Sequence, residues 1–202
     1  MRITGGTHRS RALRAPNGHV TRPTSDRVRE ALFGILSSAG LIEGAHVLDI
    51  YAGTGALALE ALSRGAARAT LVEYSRPAVD AIRANIASLG VAHCTNVIAA
   101  DVRRAARRIT RQGPFDLILV DPPWSLVDCG DAREVVGDLC RAGAFAPGGR
   151  VVLEHASRTP SPYFDAIIRL ETREYGDTAL TFYKTGILAP PRQEVAAGSP
   201  SD

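Results

Sequence analysis

Residues 47–65 read VLDIYAGTGALALEALSRG, and the fold turns on how this stretch changes period. Val47, Leu48 and Ile50 make a short apolar run of the kind buried in a parallel sheet, interrupted by one acid, Asp49. Gly53-Thr54-Gly55 then forms a turn in which the backbone can approach a ligand closely. From Ala56 to Arg64 the apolar residues recur at helical spacing, and Gly65 suits a helix C-terminal cap. A strand passing through a glycine turn into a helix is the first half of a β-α-β unit, which builds parallel sheets.

The alternation continues outward. Apolar runs at His46 to Tyr51, Ala69 to Glu73, Asn96 to Ala100, Phe115 to Val120 and Arg150 to Glu154 read as buried strands. Helical patterns lie between them at Ala56 to Arg64, Pro77 to Leu89, Val102 to Arg111 and Asp131 to Ala142. Near the end, ETREY and TALTFYK flank Gly176-Asp177, a hairpin signal. The expected architecture is α/β, a doubly wound and mostly parallel sheet closed by an antiparallel pair. An earlier helix is expected to be capped near Thr24 or Ser25, with Val28, Leu32, Ile35 and Leu36 on one face. The expected organisation is a basic arm over 1–22 that includes a small hairpin, one domain over 23–185, and a disordered tail over 186–202 rich in Ala, Pro, Gly and Ser.

At 202 residues, with 45% apolar and 22% charged, the chain suits one soluble globular domain. No apolar run approaches membrane-spanning length, and the N-terminus has no apolar h-region. Cys94, Cys129 and Cys140 are odd in number and form no CxxC, which argues against a disulfide framework or a zinc site. The expectation is a cytoplasmic, monomeric protein without metal.

The net charge of +3 conceals an asymmetry. Residues 1–30 carry seven arginines against Asp26 and Glu30, so +5, and the remainder sums to −2. A basic arm on a near-neutral body is the footprint of a nucleic-acid partner, or else a solvated surface. Arg103, Arg104, Arg107, Arg108 and Arg111 recur at helical spacing, and their mutual repulsion favours an anionic partner. Arg2, Arg9, Arg11, Arg14, Arg103, Arg104 and Arg107 are therefore candidate nucleic-acid contacts.

The glycine turn is a poor dinucleotide loop. The third glycine of that fingerprint would fall at Ala58, and Asp49 ahead of the turn would repel a pyrophosphate. The same acid would pair well with an amine-bearing ligand. Glu73 ends the second strand, where an acid can take both ribose hydroxyls, and Asp101 ends the third, where it meets an adenine edge or caps a helix. Three acids at consecutive strand ends describe a pocket for a phosphate-free nucleoside with a positive centre, which S-adenosylmethionine satisfies. Asp49, Ala52, Gly53, Thr54, Gly55, Glu73 and Asp101 are its candidate ligands.

The fourth run ends in ILVDPPW, residues 118–124, where an acid, two prolines and the one tryptophan interrupt a buried strand. An Asp-Pro-Pro sequence alone is a loop turn. At a strand end facing a cofactor pocket, Asp121 and the Pro122 carbonyl can take the hydrogens of an amine. Pro122 and Pro123 fix the backbone, and Trp124 offers a stacking face.

VLDIYAGTGALALEALSRGA, Val72-Glu73 and ILVDPPW together resemble a class I S-adenosylmethionine-dependent methyltransferase. TRPTSDRVREALFGIL (residues 21–36) and YGDTALTFYK narrow the resemblance to the bacterial 16S rRNA guanine-N2 methyltransferase family. Trp124 departs mildly from the Phe or Tyr more common there. The resemblance implies methylation of a guanine N2 in 16S rRNA, free or in an assembling small subunit, and a seven-stranded sheet. It also implies that Arg22 and Thr24 lie beside the cofactor; the alternatives are surface pairing for Arg22 and helix capping for Thr24. His155 could be a base or a hydrogen-bonded core histidine. Competing functions are a DNA or protein amide N-methyltransferase, a nicotinamide-dependent oxidoreductase, and a non-catalytic RNA-binding module. Little room for a target-recognition domain opposes the first, Asp49 opposes the second, and the intact acids oppose the third.

Overall fold

The computed structural model describes residues 1–15 and 25–186. Its centre is one seven-stranded sheet in the order β3-β2-β1-β4-β5-β7-β6. The strands are β1 (His46–Ile50), β2 (Arg68–Glu73), β3 (Thr95–Ala99), β4 (Phe115–Val120), β5 (Phe145–Ala156), β6 (Ile167–Tyr175) and β7 (Thr178–Thr185). The first five are mutually parallel, and β7 runs antiparallel to both β5 and β6. Every residue of β1 is buried, because helices cover both faces and no position need be polar. Strand order reverses between β1, which leads outward to β2 and β3, and its other neighbour β4. In such sheets the reversal opens a crevice beyond the carboxyl ends of the strands.

The helices are α1 (Asp26–Ser38), α2 (Ala56–Ser63), α3 (Arg76–Leu89), α4 (Val102–Gln112), α5 (Trp124–Asp128) and α6 (Asp131–Arg141). Ser25 caps α1 by accepting the Val28 N–H at 3.2 Å, and Val28, Leu32, Phe33 and Leu36 point inward. Helices α1, α2 and α3 pack in one hydrophobic layer. Helices α4 and α6 pack in the other.

Three features depart from the sequence reading. Trp124–Asp128 is helical where no element was expected, β5 begins at Phe145 rather than Arg150, and β6 begins at Ile167 rather than Glu171. Gly148 and Gly149 obscured the start of β5 because glycine weakens strand patterns. Here Gly149 sits at an irregularity of the β4–β5 pairing, where an added Cβ would lie 3.1 Å from the Asp116 carbonyl oxygen and 3.0 Å from that of Ala146.

The basic arm folds back as an antiparallel pair, with a bridge between Arg2 and Ala12, and lies against the body. Ile3 and Leu13 are buried in the α1–α2–α3 layer. The Thr4 N–H and hydroxyl each reach a Glu60 carboxylate oxygen at 2.7 Å. The Thr7 N–H donates to the Ser63 carbonyl at 2.7 Å. Gly6 has φ 76°, and an added Cβ would lie 1.8 Å from that carbonyl oxygen, so only glycine fits. Arg29, counted among the arm's cations from sequence, is fully buried between Asp26 and Glu60 and donates to the Arg2 carbonyl. Its charge therefore serves packing.

Candidate active site

Asp49 stands in β1 beside the crevice and is almost wholly buried. One carboxylate oxygen accepts the Ala58 N–H at 3.0 Å, tying β1 to the start of α2. The other has no partner among the described residues. Burial foremost, with the Asp121 and Glu73 charges adding to it, pushes the Asp49 carboxyl up to about 8. Three acids from the ends of β1, β2 and β4 therefore share one electrostatic neighbourhood. That arrangement favours either a protonated Asp49 or a cation entering beside it.

The glycine turn is built for close approach. Gly53 and Gly55 have φ of 56° and 77°, and an added Cβ on Gly55 would lie 2.9 Å from the Leu71 side chain. Tyr51 takes φ 64° although it is not glycine, a strained conformation at the exit of β1. The Ala52 N–H donates to the Val72 carbonyl at 3.1 Å, which lashes the turn to β2. Glu73 completes the lashing. One oxygen accepts the Gly53 N–H at 2.8 Å, and the other accepts the N–H groups of Tyr74 and Ser75 at 2.9 and 2.8 Å. Asp101 uses one oxygen to cap α4, accepting from Arg103 and Arg104 at 3.0 and 3.3 Å.

Asp121 is half-buried at the end of β4, Pro122 is buried, and Trp124 opens α5 half-buried. The Pro123 carbonyl accepts the Leu126 N–H at 2.8 Å and so belongs to the helix start. The Pro122 carbonyl accepts no backbone bond among the described residues, and the two rings restrict the backbone on either side of it. The five-residue helix α5 begins at the tryptophan, three positions after the acid.

The expected residues divide as follows. The structure gathers Asp49, the 52–55 turn, Glu73 and Asp121 at the carboxyl ends of adjacent strands; Arg22 and Thr24 lie outside the described residues. The arginines separate onto two faces. Arg2, Arg9, Arg11 and Arg14 are exposed on the side of α1, α2 and α3, with Arg11 donating to the Ser88 carbonyl at 2.8 Å. Arg104 and Arg107, on the opposite side, are exposed and make no ion pair among the described residues. Arg103 instead binds Asp131 and Glu134, pinning α4 to α6, so its charge is already matched within the fold.

A family model described as "conserved hypothetical protein 95" matches residues 1–184. The chain belongs to that family. Its curated relatives include ribosomal RNA small subunit methyltransferase D from Escherichia coli, 43% identical over 124 residues, which are 61% of this chain and 60% of the relative. YlbH from Bacillus subtilis, provisionally an rRNA methyltransferase, is 29% identical over 91% of this chain and 98% of its own. Among solved structures, yhhF from Escherichia coli, provisionally a methyltransferase, superposes with a TM-score of 0.78 at 34% identity, covering 92% of this chain and 98% of that one. The seven-stranded fold is thus that of methyltransferase structures.

Sequence reasoning overlooked two members of the site. Asn85 is buried on α3 and bonds the turn through the Thr54 carbonyl at 3.0 Å; the signal was a polar residue within the apolar stripe of Ile82, Ile86 and Leu89. The strain at Tyr51 had no signal, since its composition says nothing of φ. His155 is buried, with Nδ1 2.9 Å from the Ala156 carbonyl oxygen and Nε2 2.8 Å from the Thr181 hydroxyl. Both ring nitrogens are therefore engaged away from the crevice. Among the described residues no His, Cys, Asp and Glu cluster suits a metal, and no helix is long and apolar enough to cross a membrane.

Proposed function

We propose that the chain is an S-adenosylmethionine-dependent methyltransferase acting on the exocyclic N2 of a guanine in small-subunit rRNA. The observation that carries this reading is the union, in one crevice, of an acidic cofactor cradle and the Asp121-Pro122-Pro123-Trp124 corner. The cradle fits the cofactor's chemistry: the unpartnered Asp49 oxygen suits an amine, and Glu73 at the end of β2 suits ribose hydroxyls. Asp101, at the start of α4, would face the adenine. The cofactor supplies a methyl made electrophilic by a sulfonium.

The chain's residues prepare the nucleophile. An arylamine is a poor one, because its lone pair is delocalised into the ring. Donating its two hydrogens to the Asp121 carboxylate and the Pro122 carbonyl localises that pair and aims it away from both acceptors. The hydrogen bonds strengthen as nitrogen gains positive charge, so they favour the transition state over the ground state. Trp124 stacks on the base after it leaves its own stack. The bound cofactor would supply the methyl, and the product amine, still facing Asp121 and the Pro122 carbonyl, would shed its extra proton to water. Exposed Arg2, Arg9, Arg14, Arg104 and Arg107, on the two faces of the sheet, would hold phosphates of the RNA.

Single-turnover methylation with labelled cofactor tests this reading. Asp121→Ala lowers the rate on small-subunit rRNA by about 10²-fold or more, as for deletion of one preorganised polar group, while cofactor binding persists. An Asp121→Ala rate near that of the wild type would remove the corner from the chemistry.

A further inference from the structure

Asn85 joins two parts of the molecule that belong to different ligands. It is 2% exposed, and its side-chain amide makes three hydrogen bonds. Its oxygen accepts the Arg14 N–H at 2.7 Å, and its nitrogen donates to the Arg14 carbonyl at 3.1 Å and the Thr54 carbonyl at 3.0 Å. The first pair treats the end of the basic arm as a strand treats its neighbour. The third bond lands on the central residue of the Gly53-Thr54-Gly55 turn. A second link runs in parallel, from the Thr54 hydroxyl to the Met1 sulfur at 3.3 Å.

Lifting the arm would strip Asn85 of two of its three bonds in a buried position, and buried polar groups left unpaired are costly. Docking of the arm thus completes the hydrogen bonding of an amide that the turn already holds. Loss of the arm loosens the amide that orients the Thr54 carbonyl, and disorder of the turn removes the contact that holds Asn85 toward the arm. A ligand that orders either end reduces what the other must lose on binding.

We propose that Asn85 is a positioning residue that couples the docking of the basic arm, residues 1–15, to the ordering of the cofactor turn. Cofactor binding and RNA binding then reinforce each other, by the same factor in both directions. The coupling rests on the reading that the turn receives the cofactor and the arm receives RNA.

Hydrogen exchange of the full chain with and without S-adenosylhomocysteine, an unreactive probe, tests the coupling without RNA. Binding should slow exchange of the arm's Ile3, Ser10, Leu13 and Arg14 amides by about 5- to 150-fold, the usual range of coupling between sites. In Asn85→Ala the probe should still protect the turn but no longer the arm. Asn85→Asp keeps an acceptor for the Arg14 N–H and loses both donated bonds, so it should show the same uncoupling should the alanine variant fold poorly. Calorimetric binding with unchanged arm exchange in the wild type would overturn the coupling alone. No calorimetric binding would overturn the cofactor reading and the coupling together.

Discussion

Replacing Asp49 by Asn should stabilise the ligand-free protein while weakening its hold on the cofactor. The Asp49 carboxyl moves from an ordinary 3.8 to about 8 in the fold. The folded state therefore binds more protons than the unfolded chain between those values. Stability fully present below pH 3.8 is lost as pH rises toward about 8. At pH 7 the interval traversed is about three pH units, an upper bound of about 4 kcal/mol at 1.36 kcal/mol per unit. Asparagine keeps the acceptor for the Ala58 N–H but buries an amide nitrogen, which costs about 1–3 kcal/mol if unpaired. The net gain expected at pH 7 is then about 1–3 kcal/mol, read from urea unfolding at constant slope. The difference between variant and wild type should widen with pH across pH 5 to 8. Cofactor affinity should fall about 10- to 150-fold, because a charge-assisted hydrogen bond to the amine is lost. The wild type should release protons on binding at pH 7, since an amine favours the ionised acid. An Asp49→Asn variant no more stable than the wild type at pH 8, or binding the cofactor equally well, would refute the reasoning.

Glu73→Ala should weaken cofactor binding by at least the same 10- to 150-fold, because it removes the anchor of the Gly53 N–H as well as the ribose acceptor; unchanged calorimetric affinity would exclude it from the site. Trp124→Phe should keep most activity, whereas Trp124→Ala should raise the RNA concentration needed for half-maximal rate, by the ~1–3 kcal/mol of a stacking platform; equal behaviour of the two would deny stacking. Reversing the charge of Arg9 and Arg107 together should flatten the salt dependence of RNA binding and spare cofactor affinity. An unaltered salt slope would make both ordinary surface residues.

The fold was legible because its signals are local. The passage from apolar run to glycine turn to helix around Asp49 survives folding almost residue for residue, as does the hairpin at Gly176. Asp49, Glu73 and Asp121 were equally legible as acids at strand ends, whereas Asp101 is exposed and uses one oxygen to cap α4. What was hidden depends on tertiary contact. Arg29 and Arg103 read as surface cations because sequence does not reveal Glu60, or Asp131 and Glu134, as their partners. Glu73 was read as a ligand for ribose, and what the structure adds is that its oxygens hold three backbone N–H groups, a duty set by loop shape. Asn85 was readable as an anomaly in an amphipathic helix, but its meaning required the arm to be docked. The separation of the two arginine clusters onto opposite faces followed from which helices cover which side of the sheet.

Small-subunit rRNA from cells lacking the gene, methylated by the purified protein with labelled cofactor and digested to nucleosides, tests the central claim most directly. The expected product is N2-methylguanosine at a single mapped position, absent when the Asp121→Ala protein is used. Label on another base, on large-subunit rRNA, or on no RNA at all would contradict it.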